Sequence, residues 1–198
     1  MNESACLIWE LLPDFPLDSG GRPWFISFGH QTSVRGFWFV EGIRIPNWDE
    51  SEVRGSCPDG EDLGRDFMLA ENGWPLFSES LRLLIEGSFP NAVQFLPFAY
   101  SSRNTPVRRM FIGQVLALVD GLNREHTKVD NDDWTPRANG TFRVQYPMVL
   151  NPRVVCGFPI MHILGNPRPI YVRDDVKRLI EQSDCSGMRF KSVMLQQA

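Results

Sequence analysis

Short apolar runs, separated by polar, glycine and proline positions, set the rhythm of this chain. Trp24-Phe25-Ile26-Ser27-Phe28 and Gly36-Phe37-Trp38-Phe39-Val40 are aromatic and β-branched and are bounded by Gly, Pro and Arg, so both predict strands. Phe67-Met68-Leu69 predicts a brief third. The period then changes. Leu81, Leu84 and Ile85 recur at i, i+3 and i+4, which predicts a short helix with Ser78 as its N-cap and Gly87 at its stop. Ala92-Val93-Gln94-Phe95-Leu96 returns to a strand pattern. Met110 to Asp120 reads most simply as a buried strand, with a helix as the alternative. Asn139-Gly140 is a hairpin signal, and Thr141 to Tyr146 alternates as a strand should. Val154 to Met161 is a further strand candidate.

The helix-and-strand pattern occurs twice. Residues 76–95 and 171–190 align without a gap, with Leu84/Leu179, Ile85/Ile180, Glu86/Glu181, Ser88/Ser183 and Phe95/Phe190 identical. Leu81/Val176 and Arg82/Lys177 keep their chemistry. A helix this short does not hold alone in water, so its apolar stripe must dock on a sheet. The expected architecture is α+β: a mixed, strand-dominated sheet with a few short helices, and the two similar helix–strand units packed on one sheet system. The matched positions are mainly apolar, which suits a scaffold and moves function outside the repeat.

A chain of 198 residues with 42% hydrophobic and 12% aromatic content can bury a sizeable core, and we expect one domain over 1–198. Its 16 Gly and 15 Pro, spread throughout, favour many short elements over a helix bundle. The formal net charge of −4 disfavours nucleic acid and anionic membranes, which call for clustered Lys and Arg. No apolar run approaches a membrane span. Cys6, Cys57, Cys156 and Cys185 are far apart and form no CxxC, so neither a zinc site nor a redox pair is expected; the start of the chain carries no signal-peptide pattern, and we expect a cytoplasmic protein with reduced thiols.

Candidate chemistry is sparse. The chain has no GxSxG, P-loop, GxGxxG or HExxH, and we expect no catalytic residues, no metal and no cofactor. His30, His126 and His162 read as structural or surface histidines. Asp130-Asn131-Asp132-Asp133-Trp134 starts like a calcium loop but has Thr135 where glycine is needed and Thr141 where the bidentate glutamate belongs. A solvated acidic turn fits better, or an acidic contact surface anchored by Trp134. The largest charge asymmetry lies at 46–66, where Trp48 is followed by Asp49, Glu50, Glu52, Asp59, Glu61, Asp62 and Asp66. Its plain reading is a solvated loop. Its functional reading is recognition of a basic protein surface, with charge governing encounter and selectivity and Trp48 as an anchor if exposed. The candidate binding residues are therefore Trp48, Asp49, Glu50, Glu52, Asp59, Glu61, Asp62, Asp130, Asp132, Asp133 and Trp134.

One ordered series resembles a known family. Trp74-Pro75-Leu76-Phe77-Ser78-Glu79-Ser80-Leu81 with Val93-Gln94-Phe95-Leu96-Pro97, then Leu116 to Thr127, Thr141-Phe142-Arg143, Ile170 to Lys177 and Ser186 to Phe190 resemble bacterial immunity proteins found beside polymorphic toxins. The resemblance covers about 70–195; the β-rich part at 1–70 matches less clearly. Asn123 replaces the family's usual acidic residue, Thr127 a serine, and Arg173 a common serine, which fits a structural role for that element. The resemblance implies an inhibitor that binds a cognate toxin and protects the producing cell in interbacterial competition; it does not imply a catalytic activity, and we expect none. Two other classes compete with it. An enzyme reversing a toxin's modification would need a cleft gathering His126 with Glu125 or Asp130 to Asp133. A toxin-unrelated interaction scaffold would need neither.

Overall fold

A computed structural model describes residues 6–14, 26–28, 42–56, 64–70, 72–102, 105–130, 134–135 and 142–197. The first strands are β1 (Ile8–Pro13), β2 (Ser27–Phe28), β3 (Arg54–Ser56), β4 (Phe67–Leu69) and β5 (Pro75–Phe77), with a 3-10 turn at Glu50–Glu52. Helix α1 (Glu79–Ser88) leads into β6 (Val93–Ser102), β7 (Thr105–Val115), β8 (Leu118–Val119) and β9 (Val149–Leu150). Helix α2 (Pro152–Val155), β10 (Ile160–Ile163), β11 (Asn166–Arg173), helix α3 (Asp174–Glu181), β12 (Met188–Ser192) and β13 (Met194–Leu195) follow. The class is α+β and strand-dominated, as expected.

Both repeat helices form where the apolar spacing places them. The Ser78 hydroxyl accepts the Leu81 N–H at 3.2 Å and donates to Asp66 Oδ1 at 2.5 Å, so one side chain caps α1 and ties it to the preceding loop. Gly87 lies within the helix and Phe89 is its C-cap. On α3, Arg173 at the cap position offers no side-chain cap; Asp174 and Asp175 supply negative charge in the first turn instead. Leu81 and Ile85 on α1, and Val176 and Ile180 on α3, are the buried positions.

The two units do not share a sheet. The first belongs to a six-stranded sheet of order β2-β3-β6-β7-β5-β4, the second to a five-stranded sheet of order β12-β1-β11-β10-β8. In the first, β7 lies between β5 and β6 and runs antiparallel to both. In the second, β1 lies between β11 and β12 and runs antiparallel to both. Each unit is thus a strand–helix–strand crossover split by one inserted strand. Equivalent residues have equivalent surroundings. Phe77 and Val172, Leu81 and Val176, and Ile85 and Ile180 all enter one core cluster that draws on both sheets and both helices. Leu76 and Tyr171 point the other way, each into the cluster on the outer face of its own sheet.

Several local expectations change. Val154 and Val155 lie in α2, because Asn151 caps it through the Arg153 N–H and Pro152 takes the first helical position; the strand begins only at Ile160. Within 141–146 the described residues show one isolated bridge, Val129–Val144, rather than a strand. The Met110 to Asp120 run divides between β7 and β8. The expected strand at 36–40 and the Asn139-Gly140 hairpin lie outside the described residues. β1 was not expected: Ile8-Trp9-Glu10-Leu11-Leu12 is a central strand packed on both faces, and so lacks clean alternation. The expectation of reduced thiols fails for one pair. Cys6 and Cys156 are joined, with Cα atoms 6.1 Å apart, because the fold brings together residues that are 150 positions distant in sequence. Cys185 is free and half-buried.

Candidate functional site

The five-stranded sheet creates a pocket from its own register. On β1, Ile8 turns into the outer core cluster, and Glu10, two residues on, opens on the same face. Glu10 pairs with Tyr171 on β11 and with Lys191 on β12. A tyrosine, a carboxylate and an ammonium therefore stand in one row across three strands. Tyr146, Pro147, Met148, Ser192, Val193 and Met194 complete a pocket of about 330 Å³ around that row.

Burial separates the roles of these side chains. Glu10 is 8% exposed and Tyr171 is fully buried, whereas Tyr146 is 57% and Met194 53% exposed at the mouth. Burial pushes the Glu10 carboxyl above the ordinary glutamate range, against the opposing pull of Lys191. Burial also pushes the Tyr171 phenol well up, with Tyr146 and Glu10 adding to it, so it stays neutral and acts as a hydrogen-bonding wall. Its hydroxyl faces Met148 Sδ at 3.8 Å. Lys191 Nζ lies 4.0 Å from Glu10 Oε2 and 4.8 Å from the Tyr146 ring centroid. This one ammonium is thus shared between a carboxylate and an aromatic face.

The residues singled out in sequence distribute differently. Trp48 is half-buried against the outer cluster of the six-stranded sheet, and its Nε1 donates to Pro97 O at 2.7 Å. Asp49 caps the 3-10 turn; the Ser51 hydroxyl and N–H hold its carboxyl below the usual range. Glu50 pairs with Arg109 at 2.7 Å. Glu52 ends the same turn. Asp59, Glu61, Asp62, Asp132 and Asp133 lie outside the described residues. Asp130 approaches Arg143 at 3.8 Å and accepts from Gln145 Nε2 at 3.3 Å. Trp134 packs half-buried against Phe142, with centroids 5.3 Å apart, in the outer cluster of the five-stranded sheet. Among the described residues, Trp48 and Trp134, which flank the two acidic stretches, pack on different clusters.

The polar turn after β8 has a structural explanation. Asn123 is buried; its Oδ1 accepts the N–H groups of Glu125 and His126, and its Nδ2 donates to Gln196 O at 2.9 Å. The Thr127 hydroxyl donates to Val149 O at 2.9 Å and accepts the Val149 N–H at 3.1 Å. Asn123 and Thr127 thus serve as backbone staples, while Glu125 and His126 are exposed. Among the described residues no group of three or more His, Cys, Asp or Glu is placed to hold a metal, and no helix is long and apolar enough to cross a membrane.

Sequence reasoning missed Glu10, Tyr146, Tyr171 and Lys191. One signal was available: Glu10 is a lone charge inside the apolar run Ile8 to Leu12. A charge at a core position either has a partner or has a task.

No curated protein matches the sequence. The model of an immunity protein family, Imm11, matches residues 25–194, most of the chain and both repeat units. The chain belongs to the immunity protein family Imm11.

Proposed function

We propose that this protein binds a cognate bacterial toxin stoichiometrically and neutralises it, protecting the cell that makes both in interbacterial competition. The observation that carries this reading is the family match across 25–194. The chemistry of the site supports it. The pocket offers a buried carboxylate ringed by exposed apolar side chains, the anatomy of a protein-binding anchor. The acidic stretches suit a partner with a basic surface and would act mainly on encounter and selectivity. Asp49, Glu50 and Asp130, with Glu52, Asp59, Glu61, Asp62, Asp132 and Asp133, supply that charge in our reading. Trp48 and Trp134 stiffen the segments that present it. Inhibition is by association, without catalysis, nucleic acid or membrane.

Co-expression with a cognate toxin tests the reading. The pair should co-purify at a fixed ratio, and cells carrying both should survive. If the two do not associate and the toxin still kills, the reading fails. The compartment is the cytoplasm in this reading, and the redox state of Cys6 and Cys156 in cells is its check.

A further inference from the structure

We propose that the Glu10 pocket receives an arginine side chain of the protein partner, with Lys191 holding the place of that cation until it arrives. The partner's identity as a toxin rests on the function proposed above; the pocket's chemistry does not.

The Glu10 side chain is 10% exposed, and its single ion-pair partner among the described residues is Lys191, at a loose 4.0 Å. A carboxylate so placed is partly desolvated and gains little from so distant a partner. Its demand is for a cation that can enter the pocket. Lys191 shows that a cation fits, since its ammonium sits between the carboxylate and the Tyr146 face. Lys191 is a poor permanent occupant, however. Its side chain is 58% exposed and β12 is the edge strand, so the ammonium can swing outward without disturbing the sheet.

Arginine fits the vacated space better than a second lysine. A planar guanidinium pairs with a carboxylate through two N–H groups and stacks on an aromatic ring at the same time, and it is less strongly hydrated than an ammonium. Met148 and Tyr171 form a wall suited to the aliphatic stem. A protein is the fitting source, because Tyr146 and Met194 stand exposed at the mouth and an approaching surface would cover them.

The test has two arms on the full chain. In the first, methionine methyl resonances are followed while N-acetyl-arginine methylamide is added, with the lysine and norleucine analogues as controls. Saturable shifts at Met148 and Met194 with the arginine probe, weaker ones with lysine and none with norleucine support the pocket. Glu10→Gln and Tyr146→Ala should each abolish the response while leaving the rest of the methyl spectrum in place; Glu86→Gln, on α1, should leave the response intact. No response, or an equal response to norleucine or lysine, overturns the assignment. In the second arm, toxin affinity is measured. Glu10→Gln should weaken it about tenfold or more, whereas Lys191→Met should not weaken it. A toxin that binds wild type and Glu10→Gln equally overturns the pocket and leaves the immunity function standing. A toxin that does not bind at all overturns that function, and the first arm still decides the pocket.

Discussion

Gln94 holds Ile45 through both ends of its amide: Nε2 donates to Ile45 O at 2.9 Å, and Oε1 accepts the Ile45 N–H at 2.8 Å. Its cross-strand partner Gln114 donates to Ile43 O at 3.0 Å. Two side chains thus replace a strand neighbour and lay segment 42–50 over the sheet.

Replacing Gln94 with Leu should leave the buried Ile45 backbone without its partners. The expected loss is about 1–3 kcal/mol in urea denaturation. Hydrogen exchange at the Ile45 amide should rise more than exchange in β6. Unchanged exchange there would show that the clamp does not hold the segment.

Equivalent positions of the repeat should fail equivalently. Ile85→Ala and Ile180→Ala each remove a buried side chain from the same cluster, and each should cost about 2–5 kcal/mol. Leu83→Ala, at a side chain 55% exposed, should stay within about 0.5 kcal/mol. A large asymmetry between Ile85 and Ile180 would mean that one helix carries the cluster and the other merely covers it.

Two carboxylates should drive stability in opposite directions with pH. Burial pushes Asp174 up, but hydrogen bonds from Arg178 and Trp9 outweigh it and hold its carboxyl low. A depressed group stabilises above its unfolded pKa, and that contribution is lost as pH falls through the folded value. Asp174→Asn should therefore cost about 1 kcal/mol near neutrality, and the gap from wild type should close in acid. Glu10 is raised by burial, so its contribution is full below the unfolded value and lost as pH rises through the folded one. Glu10→Gln should raise the midpoint of thermal unfolding near neutrality and lose this advantage in acid. Melts across the acid range check both signs.

Acid quenching followed by thiol tagging in cells should separate the compartments. A cytoplasmic population should take up tags at Cys6 and Cys156, whereas an oxidised pair resists tagging and marks an oxidising compartment. Removing the bond should lower stability by roughly 2–5 kcal/mol where it is formed.

The sequence showed the repeat plainly because both copies use helix-period burial, and Leu81, Ile85, Val176 and Ile180 are where that period put them. It could not show that the copies occupy separate sheets, since strand partners are set by contacts far along the chain. α2 was concealed by its β-branched Val154 and Val155, although Asn151-Pro152 is a cap-and-first-turn signal. The pocket was illegible for the same reason as the sheets. Glu10, Tyr171 and Lys191 are neighbours only through the register of β1 with β11 and β12. The acidic stretches stood out because charge runs are local, and that visibility drew attention from a single buried glutamate.

The strand inserted into each repeat unit comes from a different place. β7 follows its unit directly, while β1 is supplied by the first residues of the chain. The family match begins at residue 25 and so leaves out β1, the strand between β11 and β12. A shortened protein trimmed to the matched region would keep every family residue and lose the strand that joins β12 to the rest of its second sheet, along with Glu10 and Cys6. It should behave as an incomplete receptor. A synthetic peptide of residues 6–14, added in trans, should slot between the two parted strands and restore it.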